Sequence, residues 1–174
     1  GESVLVRLVR SAGSAIVYPE CSAFQPDGTY FPTSSWTGGV LTATGTFTLL
    51  VGDSEAKYTG SLDLHITRLT NPVNATAISY GETVSGTIAQ APEVKLFTFS
   101  GTAGEKVFAR MAGTGILPYL ELYKPDGTYL TGAAGSPAKI TSASLPTTGT
   151  YTLVAKASDG RTTGSFSLYL QRTN

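Results

Sequence analysis

His65, Cys21 and a few repeated aspartates are the residues of this chain whose chemistry could go beyond packing. His65 is the single histidine and stands in Leu64-His65-Ile66. A hydrolytic triad would need it to activate a serine or cysteine nucleophile while an acid oriented it, and no nucleophile-elbow sequence accompanies it. Between two apolar neighbours it reads as a solvent-side strand residue. Cys21 is the single cysteine, which excludes an intrachain disulfide. It falls at an inward position and reads as a small buried hydrophobe rather than a cross-linking thiol. Asp27 and Asp126 both sit in Pro-Asp-Gly, where an aspartate bonds its own backbone. Calcium asks for about six to eight oxygen ligands, and neither turn brings a second acid. Asp53 and Glu55 beside Lys57, and Asp159 beside Arg161, read as solvated turn charges. Asn74-Ala75-Thr76 is an N-x-Thr sequon, so Asn74 is a candidate glycosylation site. Tyr30, Trp36, Tyr119, Tyr123 and Tyr129 lie in turns or at outward positions and could form a sugar platform. Trp36 has no aromatic counterpart elsewhere in the chain, and packing between units is the commoner use of such residues. No catalytic, cofactor-binding or metal-binding residue is expected.

The elements that would position these residues come in two copies. Gly1-Glu2-Ser3-Val4 returns as Gly104-Glu105-Lys106-Val107, and Pro26-Asp27-Gly28-Thr29-Tyr30 as Pro125-Asp126-Gly127-Thr128-Tyr129. Gly45-Thr46-Phe47-Thr48-Leu49 returns as Gly149-Thr150-Tyr151-Thr152-Leu153, and Arg68-Leu69-Thr70-Asn71 as Gln171-Arg172-Thr173-Asn174. A period of about 100 residues is too long for a solenoid unit and matches a small domain. Period-2 alternation dominates, with no convincing helix. Val4, Val6 and Leu8 share a face, as do Val107, Ala109 and Met111. Arg7 and Arg110 lie on the opposite face. Leu62, Leu64 and Ile66 match Phe166, Leu168 and Leu170, and Phe47, Leu49 and Val51 match Tyr151, Leu153 and Ala155. Keeping one inward phase with different side chains points to a shared core, since a one-residue slip would turn each strand inside out.

The second copy reads as about seven strands, near 83–88, 93–100, 106–112, 119–124, 138–145, 150–156 and 164–172, the pattern of an antiparallel sandwich of the jelly-roll or immunoglobulin-like type. The first copy has no counterpart of the first two. The expected organisation is an incomplete sandwich over 1–72 and a complete one over 73–174, joined by a linker at 71–80 that contains Pro72.

Composition narrows the function classes. The 174 residues carry twelve basic and twelve acidic side chains, and only 14% are charged. Nucleic-acid binders show a basic excess that is absent here. A hydrophobic content of 41% supports a core, and no apolar run is long enough to span a membrane. No signal-peptide pattern is visible, although a mature chain would have lost one. A Thr/Ser/Gly-rich surface of low charge suggests an extracellular or cell-surface setting.

The second copy resembles the bacterial pre-peptidase C-terminal domain. The resemblance rests on Gly81-Glu82-Thr83-Val84-Ser85-Gly86-Thr87-Ile88, on Val94-Lys95-Leu96-Phe97-Thr98-Phe99 followed by Ala103-Gly104-Glu105, on Leu120-Glu121-Leu122-Tyr123 with Pro125-Asp126-Gly127, and on Gly149-Thr150-Tyr151-Thr152-Leu153-Val154. It covers about 81–174, and its last two thirds recur in 1–71. It implies a β-sandwich accessory module of secreted proteins, often at the ends of proteases or in tandem arrays. Related collagen-binding modules bind calcium through an acidic linker, whereas Glu82 is the one carboxylate between Asn71 and Glu82. No cofactor is expected, and calcium is left open by the resemblance alone.

Two functions follow. The first is a non-catalytic structural or adhesive repeat, assembling into a fibre by strand complementation with copies of itself or adjacent repeats of the same polypeptide. The second is a carbohydrate- or matrix-binding accessory module of a secreted enzyme such as a protease.

Overall fold

The computed structural model describes residues 1–31 and 38–174. Those residues are all-β, and the chain order of strands is β1 (Ser3–Arg10), β2 (Pro19–Phe24), β3 (Tyr30–Phe31), β4 (Gly38–Val40), β5 (Thr48–Asp53), β6 (Leu62–Arg68), β7 (Thr76–Ala77), β8 (Thr83–Ile88), β9 (Val94–Gly101), β10 (Lys106–Thr114), β11 (Pro118–Tyr123), β12 (Tyr129–Ala134), β13 (Ala138–Ser144), β14 (Gly149–Ala157) and β15 (Gly164–Arg172).

They form four sheets. In the first half, β4-β1-β6 faces β3-β2-β5; in the second, β13-β10-β15-β8 faces β12-β11-β14-β9-β7. The six strands β1–β6 repeat the pairing of β10–β15, strand for strand. What differs is the edges. In the second half β8 pairs with β15 and β9 with β14. Among the described residues, β6 and β5 have no such partner in the first half. β5 and β6 therefore stand as open sheet edges among the described residues.

Alternation explains where each core sits. In the second half Phe97, Phe99, Leu120, Leu122, Tyr151, Leu153, Phe166 and Leu168 meet between the two sheets. A smaller core of Val6, Leu8 and Cys21, with Leu49 and Leu62 against it, fills the first half. A third cluster lies between the halves, where Leu5 and Leu69 meet Val94, Leu96, Tyr123 and Val154. Neighbours in sequence belong to different clusters, so the outer face of β4-β1-β6 lies on the outer face of β12-β11-β14-β9. β1 is accordingly buried on both faces, whereas β10 alternates between buried and accessible positions.

Three expectations about the strands and their matches need correction. β12 was not anticipated, because Tyr-Leu-Thr-Gly-Ala-Ala carries no alternation signal. Residues 71–80 are more than a connection: β7 pairs in parallel with β9, Ile78 is buried, and its amide donates to Thr98 O. Finally, the C-terminal match shifts by one residue. Arg68 stands opposite Val4 and Arg172 opposite Val107, so Arg172 rather than Gln171 is the counterpart of Arg68. The pairing with β1 and β10 sets the register, and a matching ion pair follows in each copy, Arg68–Glu2 at 2.8 Å and Arg172–Glu105 at 2.9 Å.

Candidate functional site

The open edges of β5 and β6 flank an apolar groove. Val6 pairs with Ile66 and Leu8 with Leu64, so Leu64 and Ile66 share the inner face with the first-half core. Their counterparts Leu168 and Leu170 are fully buried, yet Leu64 is 42% and Ile66 51% exposed. Across the groove Val51, whose counterpart Ala155 is fully buried, is 39% exposed. The sequence placed these side chains inward, and their direction is right. They remain accessible because β8 and β9 close the second sandwich, and among the described residues no strand pairs with β5 or β6 in that way. Phe166 shows what a closing strand must avoid: a Cβ on Gly86 would stand 2.4 Å from its ring. Leu62 stands at the place of Phe166 in the first half and is partly exposed.

A cleft of about 700 Å³ runs beside β6, with His65, Thr67, Asn74, Thr87 and Lys95 in its wall. His65 pairs with Arg7 across the strands. Burial, then the Arg7 charge, lowers its pKa from the ordinary imidazole value. No serine or cysteine hydrogen bond to it is present among the described residues. It is half-buried in this cleft and not a solvent-side residue, because the second half covers the outer face of β6.

Between the halves lies a polar knot that the sequence did not reveal. Arg7 is fully buried. Its Nη2 donates to Ala157 O at 3.0 Å, and its Nη1 to Pro92 O at 3.3 Å and Glu93 O at 3.4 Å. Burial pulls its pKa down to about 10, against the attraction of Glu121 and Asp159. Next to it Lys156 Nζ meets Glu121 Oε2 at 2.7 Å, both side chains nearly inaccessible. Burial lowers the Lys156 pKa and Glu121 opposes the shift. Tyr123 OH donates to Glu121 Oε2 at 3.1 Å, and Lys156 stands 4.7 Å over the Tyr119 ring. Burial pushes the Tyr123 phenol up. The rim is fixed by Ser3 Oγ donating to Gly127 O at 2.7 Å and Thr152 Oγ1 to Leu69 O at 3.2 Å. Gly127 has φ +76°, and a Cβ there would stand 2.3 Å from Ser3 Cβ, so this turn needs glycine for conformation and for space. One signal for the knot was present: Leu5 and Val9 make β1 apolar on both faces.

The remaining candidates have structural places. Asp27 Oδ1 accepts from Thr29 N and Oγ1 at 2.9 and 2.7 Å, and Asp126 Oδ1 from Thr128 N and Oγ1 at 2.9 and 2.6 Å. These bonds hold both carboxyls below the usual aspartate range, with the Thr29 amide leading at Asp27 and the Thr128 hydroxyl at Asp126. A group with a depressed folded-state pKa stabilises the fold above its unfolded pKa of about 3.9, and that contribution is lost as pH falls through the folded value. The amides of Thr29 and Thr128 are therefore expected to lose exchange protection together on acidification below about pH 4. Asp27→Ala should abolish the effect at Thr29 and leave Thr128 unchanged, as read by amide exchange.

Asp53 and Asp159 close loops in the same way, accepting from Tyr58 and Thr162 amides respectively. Glu82 accepts from Ser79 N. Among the described residues no three His, Cys, Asp or Glu side chains are grouped to hold a metal ion. No helix of the described residues is long and apolar enough to cross a membrane. Asn74 is exposed with φ +66°. Tyr123 serves contact between the halves, Tyr30 and Tyr129 are exposed, and Trp36 lies outside the described residues. Cys21 is buried in the first-half core, and burial raises its thiol pKa. Alkylation of Cys21 is expected to be slow in the native chain and fast in denaturant; rapid native labelling would mean that the open groove exposes this core.

No family model matches the chain, and no curated protein matches it in sequence. Among solved structures it is similar to the pre-peptidase C-terminal domain of a collagenase from Bacillus anthracis, at 16% identity and TM-score 0.47 over 56% of this chain and 94% of that one. It is similar also to PliG of Aeromonas hydrophila, a periplasmic lysozyme inhibitor of g-type lysozyme, at 11% identity and TM-score 0.46 over 56% of this chain and 96% of that one.

Proposed function

We propose that this chain is a non-catalytic structural repeat of a secreted or cell-surface protein, and that strands supplied by a neighbouring unit complete its first sandwich, over 1–72, joining units into a fibre. The observation that carries this reading is the inner-face exposure of Leu64, Ile66 and Val51 between two unpaired edges. Strand addition satisfies both deficits together. Backbone bonds to β5 and β6 occupy the edges, and alternate apolar side chains fill the groove. The donor is a pair of strands patterned like β8 and β9. If each unit donates to the next, the contact is head-to-tail and propagates.

A peptide of residues 82–101 tests this. Added to the 174-residue chain, it should protect the amides of β5 and β6 from exchange, with a Gly86→Ala peptide binding at least as well. Absence of protection at about 1 mM peptide, the weak end of specific binding, would overturn the reading. Electron microscopy of the native material should show fibres with an axial repeat matching this unit.

The second reading is a binding module for a glycan or matrix protein, attached to a secreted enzyme. The polar side chains of Thr67, Asn74 and Lys95, set among apolar ones in the wall of the cleft beside β6, favour it. Binding on a glycan and collagen array, lost in Lys95→Glu, would select it.

A further inference from the structure

The two halves meet through faces that recur, bare, at the two ends of the chain. In the internal contact one side is the outer face of β1 and β6, carrying Leu5 and Arg7. The other is the outer face of β11 and β14, carrying Tyr123, Glu121 and Val154. The repeat places Phe108 at the position of Leu5 and Arg110 at that of Arg7, on the outer face of β10. It places Phe24 at the position of Tyr123 and Leu50 at that of Val154, on the outer face of β2 and β5. Phe108 and Arg110 belong to one half and Phe24 and Leu50 to the other, so each chain has one bare copy of each side.

Their state differs sharply from that of their counterparts. Val154 is fully buried and Leu50 is 64% exposed. Arg7 is fully buried, and Arg110 is exposed. The aromatic scaffolding is retained: Tyr123–Tyr129 at 5.7 Å and Phe24–Tyr30 at 6.0 Å are both edge-on pairs. The bare β10 face has its own pair, Phe108–Tyr169 at 6.3 Å. The charges on the two pairs of faces are of the same sign on each side, although the repeat puts Ser22 at the place of Glu121 and Glu20 at that of Tyr119, two residues along the same face. Inside the chain the cation Arg7 lies on the β1 side and the anion Glu121 on the β11 side. Outside, Arg110 lies on the β10 face and Glu20 is exposed on the β2 face.

We propose that the outer face of β10 and β15 of one copy docks on the outer face of β2 and β5 of another, repeating between chains the sheet-on-sheet contact that joins the halves within one. The occupant is a second copy because the surface that covers this face in the second half is a sheet of the same kind. A bare sheet of that kind stands at the other end of the same chain. The two surfaces differ, so the contact is heterologous and does not close into a dimer by itself. It is distinct from the groove, which opens at the edges of β5 and β6 rather than on an outer face.

Sedimentation of the 174-residue chain at low ionic strength tests the proposal. The average mass should rise steadily with concentration up to about 1 mM, a range that captures weak specific contacts. Arg110→Glu and Leu50→Glu, both at exposed positions, should each weaken association at least about tenfold, the scale of a lost interface anchor. Mixing Arg110→Glu chains with Glu20→Arg chains should restore part of it. A chain that stays monomeric, or whose association survives both single variants, overturns the proposal. The groove is separated by saturating the chain with the 82–101 peptide. Stacking should persist; if the peptide abolishes association, the contact lies in the groove and this proposal fails while the groove reading stands.

Discussion

Replacing Glu121 with alanine is expected to lower the stability of the chain by about 3–5 kcal/mol, the cost of leaving one member of a buried ion pair without its partner. Lys156 is almost inaccessible and its nearest opposite charge is Glu121 at 2.7 Å. With that carboxylate gone, Lys156 is left in a poorly solvated contact with the Arg7 charge, which lowers its pKa, and without the attraction that opposed the shift. Tyr123 also loses the acceptor of its hydroxyl. Urea titration followed by tyrosine fluorescence measures the loss. The double variant Glu121→Leu with Lys156→Met separates a charge effect from a packing effect. Removing both charges removes both desolvation penalties, and such replacements are often neutral or stabilising. The double variant should therefore recover most of the stability that Glu121→Ala loses. A double variant as unstable as the single one would mean that shape, and not charge balance, holds the contact.

The same contact marks how far the sequence could be read. Alternation at Val107, Ala109 and Met111 was enough to place β10, since its other face carries Phe108, Arg110 and Ala112 at accessible positions. β1 has the same inward phase, but Leu5 and Val9 on its second face announce a second burial, and Arg7 between them obscures it. A lone arginine on a strand face ordinarily faces water. Here it is buried because three carbonyls of the second half, from Pro92, Glu93 and Ala157, lie within its reach. Those carbonyls belong to the backbone and leave no mark in residue identity. Glu121 and Lys156 are hidden for a related reason: each sits between apolar neighbours as an outward strand residue, and outward becomes buried only once another sheet covers it. One omission in an otherwise regular repeat, by contrast, points to a groove beside β5 and β6. Leu64 and Ile66 give its direction, and β5 and β6 stand at sheet edges among the described residues. β12 and β7 were not legible, because a strand of small residues and a strand of two residues carry no periodic signal.

Leu64 and Leu168 occupy equivalent places in the two copies, and alanine at each should have very different consequences. Leu168 is fully buried among the side chains of a closed core. Leu168→Ala removes those contacts and leaves a cavity, at a cost of about 2–5 kcal/mol. Leu64 is 42% exposed, so part of its side chain is already in water and no closed cavity forms when it is cut back. Leu64→Ala should cost about 1 kcal/mol or less in the isolated chain, in line with its partial burial. On the proposed reading the asymmetry comes from the unfilled edges of β5 and β6 and not from leucine itself. Supplying the strands should therefore erase it. Saturating the chain with the 82–101 peptide, or fusing that segment ahead of Gly1 through a flexible linker, places apolar side chains over Leu64 and Ile66. The cost of Leu64→Ala should then rise toward that of Leu168→Ala, while the cost of Leu168→Ala itself stays fixed. Chemical denaturation of the two variants, with and without the segment, reads all four values. A Leu64 cost unmoved by the segment would mean that the groove does not close around strands, whatever the edges of β5 and β6 bind.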